Sequence, residues 1–165
     1  MFELKTITKE AIPHSLERVE RYRLLNEPAV AVSICHDILN VDPENQQAII
    51  GLILALTDEF GLNVGVGINQ PLELIPRLQD DYEKDYYTGI IHERDAKSRL
   101  RRGYPGSGFD AYEHLHEAMD WFEKAEKIHR PGDEDAILRW NACARVIVEK
   151  NLKQRPHTDV EHPLE

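Results

Sequence analysis

The sequence lacks the features that mark secreted and membrane-spanning proteins. Only two of its 165 residues are cysteines, Cys35 and Cys143, which is too few for a disulfide framework. Its apolar runs fall well short of the roughly 20 residues that a membrane-spanning helix needs. No apolar stretch of the signal-peptide type follows the first five residues. We therefore expect a soluble cytoplasmic protein with two reduced, buried thiols and no membrane partner.

Positive charge is also scarce. Lys and Arg number 20 against 30 Asp and Glu, which gives a formal net charge of -10. Because nucleic acids and anionic membranes require a basic footprint, this balance argues against either as the main partner. The 41% of apolar residues is typical of a globular protein and is enough for one hydrophobic core.

The hydrophobic pattern is helical throughout, and no segment alternates as a β-strand does. Pro13 suits a first helical turn, Asn26 a left-handed C-cap and Asp110 an N-cap. The third helix is apolar on all sides and should be buried between neighbours. A short helix after Pro71 should break or kink near Pro76. The predicted long helices are 12–26, 28–40, 44–60, 79–102, 110–129 and 134–151.

Residues 26–45 resemble the second half of a tetratricopeptide repeat, a family that pairs two helices over about 34 residues. The family places a turn residue, a small residue, a large apolar residue, an alanine-like residue and an Asp-Pro stop at fixed spacing. These roles fall on Asn26, Ala31, Cys35, Ile38 and Asp42-Pro43. Tyr22 lies where the first helix of the repeat usually has its aromatic residue.

A second stretch resembles the same family. Ala118, Phe122 and Ala125 repeat the spacing of Ala31, Cys35 and Ile38, and Trp140 and Ala144 match the large and small positions of a following first helix. The resemblance fails over residues 61–108. It implies an all-α fold of about six or seven helices, paired and stacked in a right-handed superhelix, with either a degenerate middle repeat or an embellished three-pair bundle. We favour the degenerate repeat.

We expect residues 1–152 to form a single helical domain of this type. Residues 153–165 are polar and contain two prolines, so we expect a loose C-terminal tail.

Histidines and carboxylates raise the question of a metal site. Glu113 and His116, and again Glu126 and His129, have the Glu-x-x-His spacing of di-iron bundles, in which such motifs come from separate helices. Here both fall on one helix, thirteen residues apart, and point to nearly opposite sides. His92 on another helix could add a ligand, but nothing requires it. We therefore predict a solvated polar face and no metal site.

Two glycine-rich segments suggest phosphate binding only superficially. Gly61, Gly65 and Gly67 follow a helix instead of a strand and lack the Gly-Lys-Ser/Thr of a phosphate loop, so we interpret them as a connection. Residues 103–108 precede a helix whose free N–H groups could hold an anion, although an inter-helix turn is the simpler interpretation.

No nucleophile is paired with a base, since Cys35 and His36 are about 100° apart on a helix. We therefore predict a protein that is not an enzyme and needs no cofactor.

The resemblance implies a module that binds a peptide or protein surface in a groove lined by the first helix of each pair. Self-association is also plausible, because an end pair exposes an apolar face. The tyrosines Tyr82, Tyr86 and Tyr87 either line the groove with Arg94 or belong to the core. An alternative function is a metal- or small-molecule-binding helical protein, with or without enzymatic activity. The candidate groove residues are Glu20, Arg23, Tyr86, Glu93, Lys97 and Arg101.

Overall fold

The computed structural model describes residues 1–63, 65–128 and 130–157, and in these ranges the chain is helical without strands. No helix in the described ranges combines the length and apolar character needed to cross a bilayer. The α-helices are α1 (Ile12–Leu24), α2 (Pro28–Val41), α3 (Gln46–Asp58), α4 (Asn69–Leu74), α5 (Asp81–Arg102), α6 (Ser107–Glu126) and α7 (Asp135–Glu149). Two 3-10 turns, Lys9–Ala11 and Ile75–Arg77, complete the elements. The all-α prediction with six or seven helices is confirmed.

Helices α1, α2 and α3 form one packed unit around an aliphatic core. Asn26 takes a left-handed backbone conformation, with φ 59°, after α1, as the sequence predicts. The side chain of Asn45 caps α3 by accepting a hydrogen bond from the Ala48 N–H at 2.9 Å. The apolar α3 is buried against both α1 and α2, as its composition indicates.

Helices α5, α6 and α7 form a second unit, in which α5 packs along α6 and α6 along α7. The close approach of α5 and α6 depends on Gly89, because a Cβ atom there would lie 2.6 Å from Cε1 of the buried Phe122 ring. The turn between these helices uses Gly103 and Gly106, with φ angles of 63° and 85°.

The two units meet where α3 contacts α5. The short α4 and the 3-10 turn at Pro76 connect them, so the predicted break near Pro76 is present. Helix α4 begins at Asn69, two residues before Pro71.

Three predicted features need correction. Helix α6 begins at Ser107, with Gly106 at the N-cap position, so the assignment of Asp110 as N-cap was wrong. Asp110 instead accepts a hydrogen bond from the Tyr104 hydroxyl at 2.6 Å. Helix α3 is shorter than predicted at both ends. Helix α6 ends at Glu126, and the predicted end at His129 lies outside the described residues.

Candidate binding groove

Charged side chains join alternate helices along one surface, which we call the groove face. It is defined by Arg23 of α1, Asp58 of α3, Glu93 and Arg94 of α5, and Arg139 of α7. The Asp58 carboxylate accepts a hydrogen bond from Nε of Arg23 at 2.7 Å through Oδ2 and pairs with Nη1 of Arg94 through Oδ1. A single carboxylate thus connects three helices.

Arg94 is further fixed by the end of α3. Its Nη1 donates to Oγ1 of Thr57 at 2.9 Å as well as to Asp58. Burial lowers the pKa of Arg94, and the charge of Asp58 opposes this effect. The guanidinium is therefore held in one place between α3 and α5 and contributes a fixed positive charge to the groove face.

Glu93 is the most deeply buried charge on this face, with no exposed surface. Its Oε1 pairs with Nζ of Lys97 one turn later on α5 and lies 3.5 Å from Nη1 of Arg139 on α7. Its Oε2 has no hydrogen-bond partner among the described residues. A buried carboxylate oxygen of this kind is costly, and a donor that reached it would be bound strongly.

An apolar cleft opens between α1 and α3 beside the Arg23–Asp58 pair. It has a volume of about 610 Å³ and a half-buried aliphatic floor that includes Leu16, Ile50 and Leu54. Glu20 and Arg23 stand at its polar edge. The cleft can therefore accept an apolar side chain while charged groups remain within reach.

The predicted groove residues fall at different places. Glu20 lines the cleft, Arg23 pairs with Asp58, and Glu93 and Lys97 pair with each other. Arg101, two turns after Glu93 on α5, is exposed near the end of the helix.

Tyr86 belongs to an aromatic cluster more than to an open groove. Its ring stacks on Tyr82 at 5.7 Å between centroids and meets Tyr87 edge-on at 5.1 Å. Tyr82 is buried, whereas Tyr86 and Tyr87 are half-buried. Burial raises the pKa of Tyr86, and Arg139 opposes the shift. Of the two interpretations of the tyrosines, the core role is therefore established for Tyr82, and Tyr86 also packs against the buried Phe122 ring at 5.8 Å between centroids.

Sequence reasoning did not place Asp58 or Arg139 in the groove. Asp58 is the only charged residue of α3 and occupies its last position. A lone carboxylate at the C-terminal end of an apolar helix is unfavourable beside the helix dipole unless cations face it. The position of Asp58 at the end of this apolar helix was therefore the one feature of the sequence that indicated a pairing with cations.

His92 of α5 approaches His114 of α6. Nδ1 of His92 is 3.3 Å from Nδ1 of His114 on α6, and Nε2 of His114 is 3.3 Å from Oδ2 of Asp95. His116 is exposed and faces Asp120 on its own helix. Among the described residues, no group of three or more His, Cys, Asp or Glu side chains is close enough to hold a metal ion.

The first glycine-rich segment borders a cavity of about 610 Å³, which Gly61, Gly65 and Gly67 line together with Arg99 and Arg102 of α5. Gly61 lies against α5, where an added Cβ would be 2.7 Å from Oγ of Ser98. Near the start of α6, Asp110 is the anion that the cations hold. Its Oδ1 pairs with Arg155 at 2.7 Å, and its Oδ2 is 3.7 Å from Arg99. The protein's own carboxylate thus takes the place that an external anion would occupy.

Both cysteines are fully buried, one in each helical unit. Burial raises the pKa of Cys35 and of Cys143 to about 12. The thiols are therefore protonated at neutral pH and poor nucleophiles, and they act as small apolar side chains.

No protein-family model, curated protein or solved structure matches this chain.

Proposed function

We propose that this protein is a non-catalytic interaction module that binds an extended peptide or protein segment along the groove face. The observation that carries this proposal is the row of ion pairs across α1, α3, α5 and α7, which lies directly beside an apolar cleft. Apolar anchoring next to fixed charge is the usual basis of peptide recognition.

We infer that the helix pairs are degenerate repeats of the tetratricopeptide type. Six of the positions that carry the resemblance are fully buried: Ala31, Cys35, Ile38, Ala118, Phe122 and Ala125. In such repeats the small residue permits close helix approach and the large residue fills the adjacent space. Packing of this kind supports the repeat assignment and leaves the first helix of each pair to line a groove.

The charges on the groove face favour a partner segment that carries an acidic residue. Among the described residues, four cations on α1, α5 and α7 pair with two carboxylates, those of Asp58 and Glu93. The four cations are Arg23, Arg94, Lys97 and Arg139. Glu17 and Glu20, which also line the cleft, carry the opposite sign. We therefore expect a segment with an apolar residue in the cleft and an acidic residue toward α5.

Selection from a library of random displayed peptides tests this function on the full chain. The expected result is enrichment of peptides that combine an apolar residue with an acidic one, with binding confirmed by calorimetry on a synthetic peptide. Lys97→Met should weaken that peptide about tenfold, since one charge-assisted contact contributes roughly 1.5 kcal/mol or more. Ile50→Asp, in the cleft, should weaken it at least as much.

Lys150→Met is the matched control, because Lys150 is exposed beyond the end of α7. It should leave the affinity unchanged, and circular dichroism should show that all three variants remain helical. A selection that enriches no peptide, or peptides whose affinity is the same in Lys97→Met, Ile50→Asp and the control, would contradict the proposed function.

A further inference from the structure

Two adjacent carboxylates at the end of α3 have different surroundings. Asp58, the last residue of the helix, pairs with Arg23 and Arg94. Glu59 follows as the C-cap residue and keeps only 6% of its surface exposed. No cation among the described residues pairs with its carboxylate, and the rest of the chain contains no lysine or arginine. One carboxylate is therefore compensated by the protein itself, and its neighbour is not.

The position of Glu59 makes the missing cation costly. The C-terminal end of a helix carries partial negative charge, which repels an anion unless a cation faces it. Burial adds a desolvation cost that one neutral hydrogen bond offsets only in part. Glu59 has one such bond from a side chain, because Nδ2 of Asn63 donates to its Oε2 at 3.1 Å. Its Oε1 accepts no hydrogen bond from the described residues.

Glu59 lines a groove between α2, α3 and α4, which we call the α2–α4 groove. The groove has a volume of about 560 Å³, and a second carboxylate, that of the exposed Glu73, also lines it. No lysine or arginine of the described residues contributes to its lining, and its one imidazole, His36, is exposed. Aliphatic side chains from all three helices form its walls, among them Val32, Leu52, Leu56 and Leu74.

The α2–α4 groove is separate from the groove face and its cleft. Leu52 and Leu56 line the groove, whereas Ile50 and Leu54 line the cleft on α1. Because two residues turn a helix by about 200°, the two sets lie on opposite sides of α3. The groove and the cleft share no lining residue.

Apolar walls beside an uncompensated carboxylate fit the side chain of lysine. Lysine buries an aliphatic stem along apolar surface and carries its charge at the tip. Since Asn63 occupies Oε2 and leaves Oε1 open, the site offers one oxygen, which suits the point charge of an ammonium group. The planar fork of arginine is better matched to two free oxygens. The ammonium group has three donors, so it can bond to Glu59 and still face Glu73.

We propose that the α2–α4 groove is a second docking site, which receives a lysine side chain of a partner protein. The ammonium group binds Oε1 of Glu59, and the four-carbon stem lies along the aliphatic walls. The site is independent of the groove face, which favours an acidic segment. Loss of binding at either surface would leave the other intact.

Nuclear magnetic resonance titration of the ¹⁵N-labelled full chain with a blocked peptide, a lysine between two leucines, tests the site. The expected result is saturable amide shifts on α2, α4 and the end of α3. The same peptide with norleucine lacks only the ammonium group and should bind at least tenfold more weakly. Glu59→Gln should weaken the lysine peptide at least tenfold, because a charge-assisted contact is lost.

Glu149→Gln is the matched control, since Glu149 is the exposed last residue of α7 and also stands at a helix C-terminus. It should leave the affinity unchanged. In the free protein, Glu59→Gln should move the midpoint of urea denaturation to higher urea, because it removes the uncompensated charge and keeps an acceptor for Asn63. Glu149→Gln should move it much less. A carboxylate that serves only to stabilise the fold would give the opposite shift.

Four results would overturn the proposal. They are no saturable shifts, equal affinities of the lysine and norleucine peptides, an affinity that survives Glu59→Gln, and a lower urea midpoint in that variant. Binding of n-butylammonium as tight as that of the lysine peptide would also overturn it, because the ligand would then be a small amine. None of these results bears on binding at the groove face, whose shifts are expected on α1, α5 and α7.

Discussion

The two helical units differ in the polarity of their buried residues. Every buried residue of α1, α2 and α3 is uncharged, and their core is mainly aliphatic. Helix α5 in the second unit buries two carboxylates, Glu93 and Asp95, together with Thr88 and Ser98. Apolar burial is tolerant of small changes in position, whereas a buried carboxylate must keep its cations. The comparison indicates that burial of charge on α5, which supplies Glu93 and Arg94 to the groove face, lowers the stability of the second unit unless the cations remain in place.

The largest effect on stability is expected when the two cations that pair with Glu93 are removed. Lys97→Met with Arg139→Met leaves a fully buried carboxylate without compensation. The free energy of unfolding should then fall by about 3 kcal/mol, the typical cost of isolating a buried charge. Urea denaturation followed by circular dichroism measures it.

Two controls sharpen that experiment. Arg21→Met with Arg145→Met removes two exposed cations, one from each unit, and should cost little. Adding Glu93→Leu to the first double variant should recover most of the lost stability, because the unpaired charge is gone. A loss below about 1 kcal/mol in Lys97→Met with Arg139→Met would show that α5 does not depend on this pairing.

Gly51 and Gly89 lie at helix contacts in the first and second unit, so substitution of each by alanine tests how closely the helices pack there. Gly89→Ala places a Cβ within 2.6 Å of the buried Phe122 ring, whereas the Cβ of Gly51→Ala meets Cγ1 of Val19 at 3.1 Å. Both substitutions gain roughly 1 kcal/mol of helix propensity. We expect Gly89→Ala to destabilise the protein by about 2 kcal/mol through overpacking and Gly51→Ala to be close to neutral.

Thermal or urea denaturation of the two variants side by side is sufficient. Equal stabilities would mean that α5 and α6 can separate slightly without cost. The α5–α6 contact would then be no more tightly packed than the contact of Gly51 with Val19.

Alkaline pH should affect the two units alike, since each buries one thiol. The pKa of Cys35 and of Cys143 is raised to about 12 from an ordinary value of 9.0. Above pH 9 the unfolded chain loses protons that the folded chain keeps, so the unfolded state is favoured as pH rises toward 12. At pH 10 each thiol should lower the free energy of unfolding by about 1 kcal/mol.

Urea denaturation at pH 8 and pH 10 measures this loss, and Cys35→Ala and Cys143→Ala should each remove a similar share of it. Tyr82 and Tyr87, whose pKa values are also raised to about 12, act in the same direction at higher pH. An unchanged pH dependence in both cysteine variants would contradict the burial assigned to the thiols.

Periodicity was sufficient to predict the helices and much of the core. The small and large residues at the matched positions around Ala31 and Ala118 are buried because helical spacing alone puts them on one face. The break at Pro76 and the left-handed Asn26 follow from local backbone chemistry, which the sequence states directly.

The side-chain constellations were not predictable in the same way. Asp58 meets Arg23 and Arg94 across separations of 35 and 36 residues, and His92 meets His114 across 22. Such contacts depend on the register of packed helices, which periodicity does not define. Residues 61–108 do not follow the repeat pattern, so the register of α5 against its neighbours could not be inferred from it. The sequence therefore directed attention to His116, and the structure brings together its neighbour His114 instead.

The most direct test of the groove face is a map of backbone amide shifts in the full chain on adding the library-selected peptide. The account predicts that the largest shifts cluster around Arg23, Leu54, Arg94 and Arg139, on α1, α3, α5 and α7. Shifts confined to α2 and α6 would contradict it, because the peptide would then bind a surface that carries neither the cleft nor the row of ion pairs.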